Sequence, residues 1–296
     1  MYSCIPDVCR AIATPRGEDL LRLMCALYRG QSCSEEQSLI LHADLVGWAL
    51  HLGLIEEPGA RGRLTAAGYL VGSVATEYCY WVDAGRRPPT PRPPELFYAG
   101  KTVLDLGCGL GHCLWEFQKV AASALGVELQ EEYIELGKAL ARREGIPVPQ
   151  VCQGSAEELG RCVPHESVDF VFTRLVLSYV HIMPCLRGIF NALRPGGIVW
   201  IHVEPMSRVV KKLFSIEKDR KVRSLGWNML SLLNSLLCTA TGHQAQIHVR
   251  GRMHSAHKPA FPPLRWWQST LPAIGWGPVH VVQKSPALVF WAQKAR

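Results

Sequence analysis

The chain has 296 residues, 48% of them hydrophobic, and a formal net charge of +7. A chain of that size buries a substantial core in one or two domains. Its 11 cysteines form no CxxC pair and no short-spaced ladder, which excludes a small disulfide scaffold and predicts reduced thiols in the cytoplasm.

Met1 to Gly17 carries Pro6, Asp7 and Arg10 where an export signal needs an unbroken apolar stretch, so no such signal is expected. From Glu18 to about Gly30, Leu20, Leu21, Leu23, Met24, Leu27 and Tyr28 fall on one helical face, and a second helical pattern runs from Glu35 to about Leu52. Leu54 and Ile55 then precede a Pro-Gly turn, Arg63 and Leu64 return, and Thr65 is placed to cap another helix. Residues 1–85 therefore read as a mainly helical, winged-helix-like domain. Such modules often bind DNA. The candidate recognition helix, His42 to Leu52, has no Arg or Lys for phosphates or guanine edges, so DNA is not the expected partner. Residues 86–100 are a linker, because the prolines of RRPPTPRPP lack the amide donor a helix needs.

Over residues 101–296, apolar runs of strand length alternate with helical patterns: TVLDLG, ALGVEL, PQVCQG, VDFVFT and GGIVWIHVEP. GPVHVVQKSPALVFWAQK closes the chain as two strands around a turn at Lys284 to Pro286. The pattern predicts an α/β fold, a Rossmann-like doubly wound sheet of seven strands ending in an antiparallel hairpin.

The strongest motif is VLDLGCGLG, Val103 to Gly111, an apolar strand ending in an acidic residue and a glycine turn that runs directly into a helix. Gly107, Gly109 and Gly111 permit backbone angles closed to other residues and a close approach of ligand to main chain. A glycine turn after the first strand also serves dinucleotide enzymes. Here it stands with Asp105, with Glu128 at the end of the next strand, and with ALRPGGIVWI further on. Together these resemble the class I S-adenosylmethionine-dependent methyltransferases, in style the ubiquinone and menaquinone biosynthesis enzymes, over about Val103 to Glu204.

The resemblance implies S-adenosyl-L-methionine as cofactor. Asp105 would orient the methionine amino group, and Gly107, Cys108, Gly109 and Gly111 would cradle the methionine portion. Glu128 would hold both ribose hydroxyls, with Leu129 beside it. The family commonly has an acidic residue at the adenine after the third strand. This chain has Ser155, Ala156 and Glu157 there, leaving open whether Ser155, Glu157 or the Ala156 backbone makes that contact. Thr173 and Arg174 would face the sulfonium and the acceptor. Tyr80, with Tyr78 and Trp81 beside it, either covers the cofactor or packs. His112, Cys108 and Cys113 are irregularly spaced for a metal, and none is expected.

Methyl transfer is an in-line displacement that needs alignment, with a base only where the nucleophile carries a proton. His181, His202 and Glu204 are the candidate bases, placed at strand ends; His202 alternates with Ile201 and Val203 and otherwise simply points to one face of the sheet. Small-molecule O-methyltransferases use winged-helix modules for dimerisation and pocket closure, so the likeness implies a homodimer. Their catalytic histidine lies in a segment that this chain replaces.

That replacement, about 206–263, reads as a lid-like insertion. Pro205 to Arg265 holds 11 Lys/Arg against Glu217 and Asp219. Lys211, Lys212, Lys218, Arg220, Lys221 and Arg223 either draw an anionic acceptor, rest on acidic phospholipid, or form a solvated helix beside a buried apolar one at Leu225 to Cys238. The apolar stretch is too short and too interrupted by Asn228 and Asn234 to span a membrane. The leading expectation is O- or N-methylation of a small-molecule acceptor. Its rivals are an RNA or protein methyltransferase docking through 208–265, and a non-catalytic interaction subunit that keeps the fold.

Overall fold

The alternation of strand and helix after residue 101 is realised as one seven-stranded sheet in the computed structural model, which describes residues 2–29, 39–56, 64–87, 91–207, 210–211, 221–245, 247–248, 256–257 and 259–295. In chain order the strands are β1 (Thr102–Leu106), β2 (Ser123–Glu128), β3 (Gln150–Gln153), β4 (Val168–Arg174), β5 (Leu193–Val203), the short β6 (Ile247–His248) and β7 (Ala256–His257), β8 (His280–Gln283) and β9 (Leu288–Gln293). The large sheet runs β3-β2-β1-β4-β5-β9-β8, and β6 pairs with β7 separately. β1 is parallel to β2 and β4, β4 is parallel to β5, and β9 is antiparallel to both β5 and β8. The order reverses between β1 and β4, and the carboxyl ends of these strands mark the switch point at which α/β sheets bind ligands. The terminal hairpin sits at the sheet edge, as its sequence predicts.

The chain divides into two compact units. One comprises Met1–Thr90, Gly109–Lys119 and Gln130–Val151; the other comprises Pro91–Cys108, Val120–Leu129 and Cys152–Arg296. The first holds α1 (Ile5–Ile12), α2 (Gly17–Arg29), α3 (Leu39–His51), α4 (Ala66–Asp83), α5 (His112–Phe117) and α6 (Glu131–Arg143). Of the face expected of the first predicted helix, Leu20, Leu21, Leu23 and Met24 are buried on α2, Leu27 is part-buried and Tyr28 is exposed. Gly72 lets α4 lie close to α2, since a Cβ there would stand 2.7 Å from Cβ of Tyr28. Arg143 of α6 donates to the carbonyls of Ile12 and Thr14 at 2.9 and 2.8 Å, tying α6 to the end of α1 and the turn that follows it. Two helices that the sequence pattern assigns to the sheet domain, α5 and α6, therefore share this unit's core through Leu110, Trp115, Leu136 and Leu140.

Ile55 and Leu64 form an antiparallel bridge, and the Thr65 hydroxyl accepts from Gly68 N at 3.0 Å while donating to the Gly53 carbonyl at 2.7 Å. The predicted cap is thus made. Residues 57–63, the expected wing, and 35–38, the expected start of the second helix, lie outside the described residues.

The second unit packs α7 (Ile182–Ala192), α8 (Lys221–Thr241) and α9 (Leu264–Ile274) with the sheet around Leu104, Val171, Ile201, Leu186, Ile189 and Trp267. Here α8 corrects an expectation. The apolar stretch is not a buried helix: Ser231, Asn234, Ser235 and Cys238 face inward, and Met229, Leu230, Leu233, Leu236 and Leu237 face out. Hydrogen bonds explain the inversion. Asn234 Nδ2 donates to the carbonyls of Ala245 and Pro259, both at 3.1 Å, its Oδ1 accepts from Ala245 N at 2.7 Å, and Ser235 Oγ accepts from Phe261 N at 2.9 Å. A second correction concerns the thiols. Cys152 and Cys162 are joined in a disulfide, because β3 and the short 3-10 helix Ala156–Arg161 bring their Cα atoms to 6.0 Å.

Candidate functional site

In the second unit, register places the predicted cofactor residues at the carboxyl ends of adjacent parallel strands. Asp105 is aligned with Gly126 on β2 and with Phe172 on β4, and Leu106 with Val127 and Thr173. Asp105 is buried at the end of β1. Gly107 turns the chain with φ +70°, and a Cβ there would stand 2.1 Å from Cγ2 of Val176. Both its N–H and that of Cys108 donate to the Val127 carbonyl, at 2.7 and 3.1 Å, which fixes the start of the loop against the end of β2. Glu128 and the exposed Leu129 follow directly, and the Glu128 carbonyl accepts from Gly154 N at 2.9 Å. A carboxylate beside an exposed apolar side chain suits a sugar diol next to a flat ring.

The two side chains offered for the adenine contact hold backbone in this unit. Ser155 caps the 3-10 helix by accepting from Glu157 N at 3.2 Å, and Glu157 Oε1 accepts from His181 N at 2.9 Å, at the start of α7. Ala156 is buried between them. The Ser155 cap is a local signal of the S-x-x-E kind, whereas the Glu157 bond to His181 spans 24 positions and has none.

At the exit of β4, the Thr173 and Ser178 hydroxyls are buried without a hydrogen-bond partner among the described residues. Buried hydroxyls normally find one, so this pair marks where a polar ligand group would be satisfied. Between them Leu175 adopts φ +62°, a left-handed conformation that costs a branched residue about 1–2 kcal/mol. Its N–H donates to the His202 carbonyl at 2.7 Å, which holds the bend in place. Sequence reasoning missed Leu175 and Ser178. A non-glycine in that conformation leaves no trace in the residue type.

The three candidate bases differ. His181 is the cap residue of α7, and Glu204 is buried just past β5. His202 is aligned with Arg174 of β4, and burial together with that guanidinium pushes its imidazole down to about 4 from the usual 6.5. It is therefore neutral at pH 7, and too weakly basic to be an efficient proton acceptor there. On acidification the unfolded chain binds this proton first. His202 thus contributes stability that is full above pH 6.5 and is lost as pH falls toward about 4. We expect the loss to approach roughly 3 kcal/mol. Urea unfolding of the wild type and His202→Gln across that window checks this, and parallel pH profiles would refute it.

In the first unit, Gly109 and Gly111 have φ +56° and +87°, the latter capping α5. Glu77 of α4, which the motif search did not find, lies beside them. Its Oε2 is 3.5 Å from where a Gly109 Cβ would be and 3.9 Å from His112 Nδ1. Tyr133 flanks the same glycine and donates to Ser73 Oγ at 2.9 Å. Tyr78 and Trp81 are core residues: Tyr78 donates to Glu144, and Trp81 stacks edge-on with Trp115. Tyr80 is 64% exposed, with the Arg29 guanidinium 4.6 Å above its ring.

Residues 98–231 match the family described as "Methyltransferase domain". An S-adenosyl-L-methionine-dependent Diels-Alderase of Talaromyces variabilis is 26% identical over 136 residues, 44% of this chain and 47% of that protein. A ubiquinone biosynthesis O-methyltransferase of Rhizobium etli is 30% identical over 118 residues, 40% of this chain and 45% of that protein. The match thus spans just under half the length of these relatives. A crystal structure of a putative S-adenosylmethionine dependent methyltransferase from Listeria monocytogenes aligns over 73% of this chain and 98% of its own, with 19% identity and a TM-score of 0.49. With its glycine loop, the carboxylates near the ends of β1 and β2, and the methyltransferase-domain match over residues 98–231, the chain resembles the class I S-adenosylmethionine-dependent methyltransferases.

Proposed function

We propose that this chain is an enzyme that transfers the methyl group of S-adenosylmethionine to an oxygen or nitrogen of a small-molecule acceptor. The observation that carries the reading is the row of strand ends in the second unit. Buried Asp105, the positive-φ turn at Gly107 and the carboxylate of Glu128 suit the cofactor, and the unpartnered hydroxyls of Thr173 and Ser178 lie at the next strand's exit. When bound, the cofactor supplies an electrophilic methyl on a sulfonium. Asp105 and the backbone from Gly107 would hold its methionine end, Glu128 its ribose and the Ala156 backbone its adenine. The chain's own part is then alignment and exclusion of water. Residues 1–85 are read as a winged-helix-like module that pairs two chains, and 206–263 as the acceptor-side insertion.

The test is release of S-adenosylhomocysteine on incubation with S-adenosylmethionine and panels of phenols, amines and carboxylic acids, with the methylated product identified by mass. Turnover of a small acceptor supports the reading; turnover only of RNA or protein overturns it. The match to a Diels-Alderase favours a second reading, in which the cofactor is bound but not consumed. Tight binding with no S-adenosylhomocysteine released for any acceptor class would favour that one.

Glu77 extends the cofactor reading within the first unit. A carboxylate against Gly109 repels an anion and attracts a cation, so Glu77 suits a positively charged group of a ligand. Glu77→Gln is expected to weaken S-adenosylhomocysteine binding about tenfold, the worth of one charge-assisted hydrogen bond. Methylthioadenosine, which lacks the amino acid portion, should bind the variant and wild type alike in calorimetry. Equal weakening of both ligands would mean that Glu77 only supports the fold.

A further inference from the structure

The outward face of α8 is the feature that neither the sheet nor the cofactor reading absorbs. Met229, Leu230, Leu233, Leu236 and Leu237 are 53, 44, 59, 51 and 41% exposed. At 100° per residue they fall within an arc of about 120°, one continuous apolar stripe. The inward face is polar and pinned by the hydrogen bonds of Asn234 and Ser235 to residues 245, 259 and 261. The helix is thus held in place with its leucines turned to water, although burying them would have been the ordinary outcome for so apolar a stretch. A stripe of this kind on a soluble surface marks an interaction site.

Charge selects the partner. No Asp or Glu occurs from Lys221 to Thr241, and from Arg208 to Arg223 the sequence holds seven Lys/Arg against Glu217 and Asp219. An aliphatic face flanked by net positive charge matches a bilayer surface, where acyl chains take the leucines and anionic headgroups take the cations. A second copy fits less well, because two chains that each carry a net charge of +7 repel one another. Nucleic acid fits poorly too, since leucines offer neither phosphate contacts nor stacking. Among the described residues no helix is long and apolar enough to cross a membrane, so the contact is peripheral.

We propose that α8 is an interfacial helix that docks this protein on bilayers containing anionic phospholipid, its Met229–Leu237 stripe lying in the headgroup region. The helix is linked to the segment leaving β4: Gln244, just past its end, donates to the Val180 carbonyl at 2.8 Å and accepts from Ile182 N at 2.6 Å, and Ala260 N donates to the Ser178 carbonyl at 3.1 Å. Docking therefore holds the acceptor-side exit of β4 through a short chain of hydrogen bonds.

The test is co-sedimentation of the full chain with vesicles of phosphatidylcholine alone or mixed with phosphatidylglycerol, at low and high salt, beside the variant Leu233→Gln/Leu237→Gln. The protein should partition onto the mixed vesicles, more weakly at high salt and weakly onto phosphatidylcholine alone. The variant should lose roughly tenfold or more of that partition at an unchanged thermal midpoint, because two buried aliphatic chains are removed. If its midpoint falls, Leu233→Gln alone, on the most exposed position, carries the comparison. No partition onto anionic vesicles, or equal partition of the folded variant and wild type, would overturn the proposal. So would light scattering that shows a dimer dissociated by the variant without vesicle binding, or retention on RNA but not on vesicles. None of these outcomes depends on whether methyl transfer is the activity.

Discussion

Gly107→Ala is expected to destabilise the protein by about 3 kcal/mol, the sum of two separable effects. The first is conformational: φ +70° costs a residue with a Cβ about 1–2 kcal/mol. The second is steric: the new methyl would stand 2.1 Å from Cγ2 of Val176, a branched and partly buried side chain that cannot simply swing away. Displacing it repacks the exit of β4 at a cost of about 1–3 kcal/mol. Urea unfolding measures the total, and a second substitution divides it. Val176→Ala on the Gly107→Ala background removes the clashing carbon and should restore the steric share, leaving only the conformational one. A Gly107→Ala protein as stable as the wild type would mean that this turn is not built as described. The cofactor reading adds a further expectation: the same substitution moves the Gly107 and Cys108 amides off the Val127 carbonyl, and so weakens S-adenosylmethionine binding as well as stability.

Glu128→Ala should do the reverse and leave stability nearly unchanged while weakening S-adenosylmethionine binding about a hundredfold. The side chain is half-exposed at a strand end, so its loss creates no cavity. The loss in binding is the worth of two hydrogen bonds from a diol to a charged acceptor, together roughly 3 kcal/mol. Glu128→Gln keeps one acceptor oxygen and should lose about tenfold. A cofactor analogue without the 2′-hydroxyl completes a double-mutant cycle: it should bind wild type more weakly than S-adenosylhomocysteine does, yet bind Glu128→Ala no differently. Calorimetry reads all four corners. If the alanine variant still distinguishes the two ligands, the ribose is held elsewhere and the assignment of Glu128 fails.

Most of the sheet was legible in the sequence because strand and glycine signals are local. Continuous apolar runs such as Val168 to Thr173 mark strands covered on both faces, and β4 is indeed buried along nearly its whole length. Asp105, Gly107 and Glu128 stand at the ends of those runs, so their position at the carboxyl edge of the sheet followed from the strand pattern alone. The cap at Thr65 was legible for the same reason, since its hydrogen bond closes within three residues.

What only the tertiary structure decided depends on neighbours distant in sequence. Glu77 lies against Gly109 across 32 positions. The imidazole of His202 is held neutral by burial and by a guanidinium on the adjacent strand, and Glu157 holds the first turn of α7. Residue type does not announce any of these. The inversion of α8 is the clearest case. A buried helix was one of the readings its composition allowed, because hydropathy registers how apolar a stretch is but not which side its hydrogen bonds claim. Once Asn234 and Ser235 were bound to the backbone of residues 245, 259 and 261, the leucines had only the outside left.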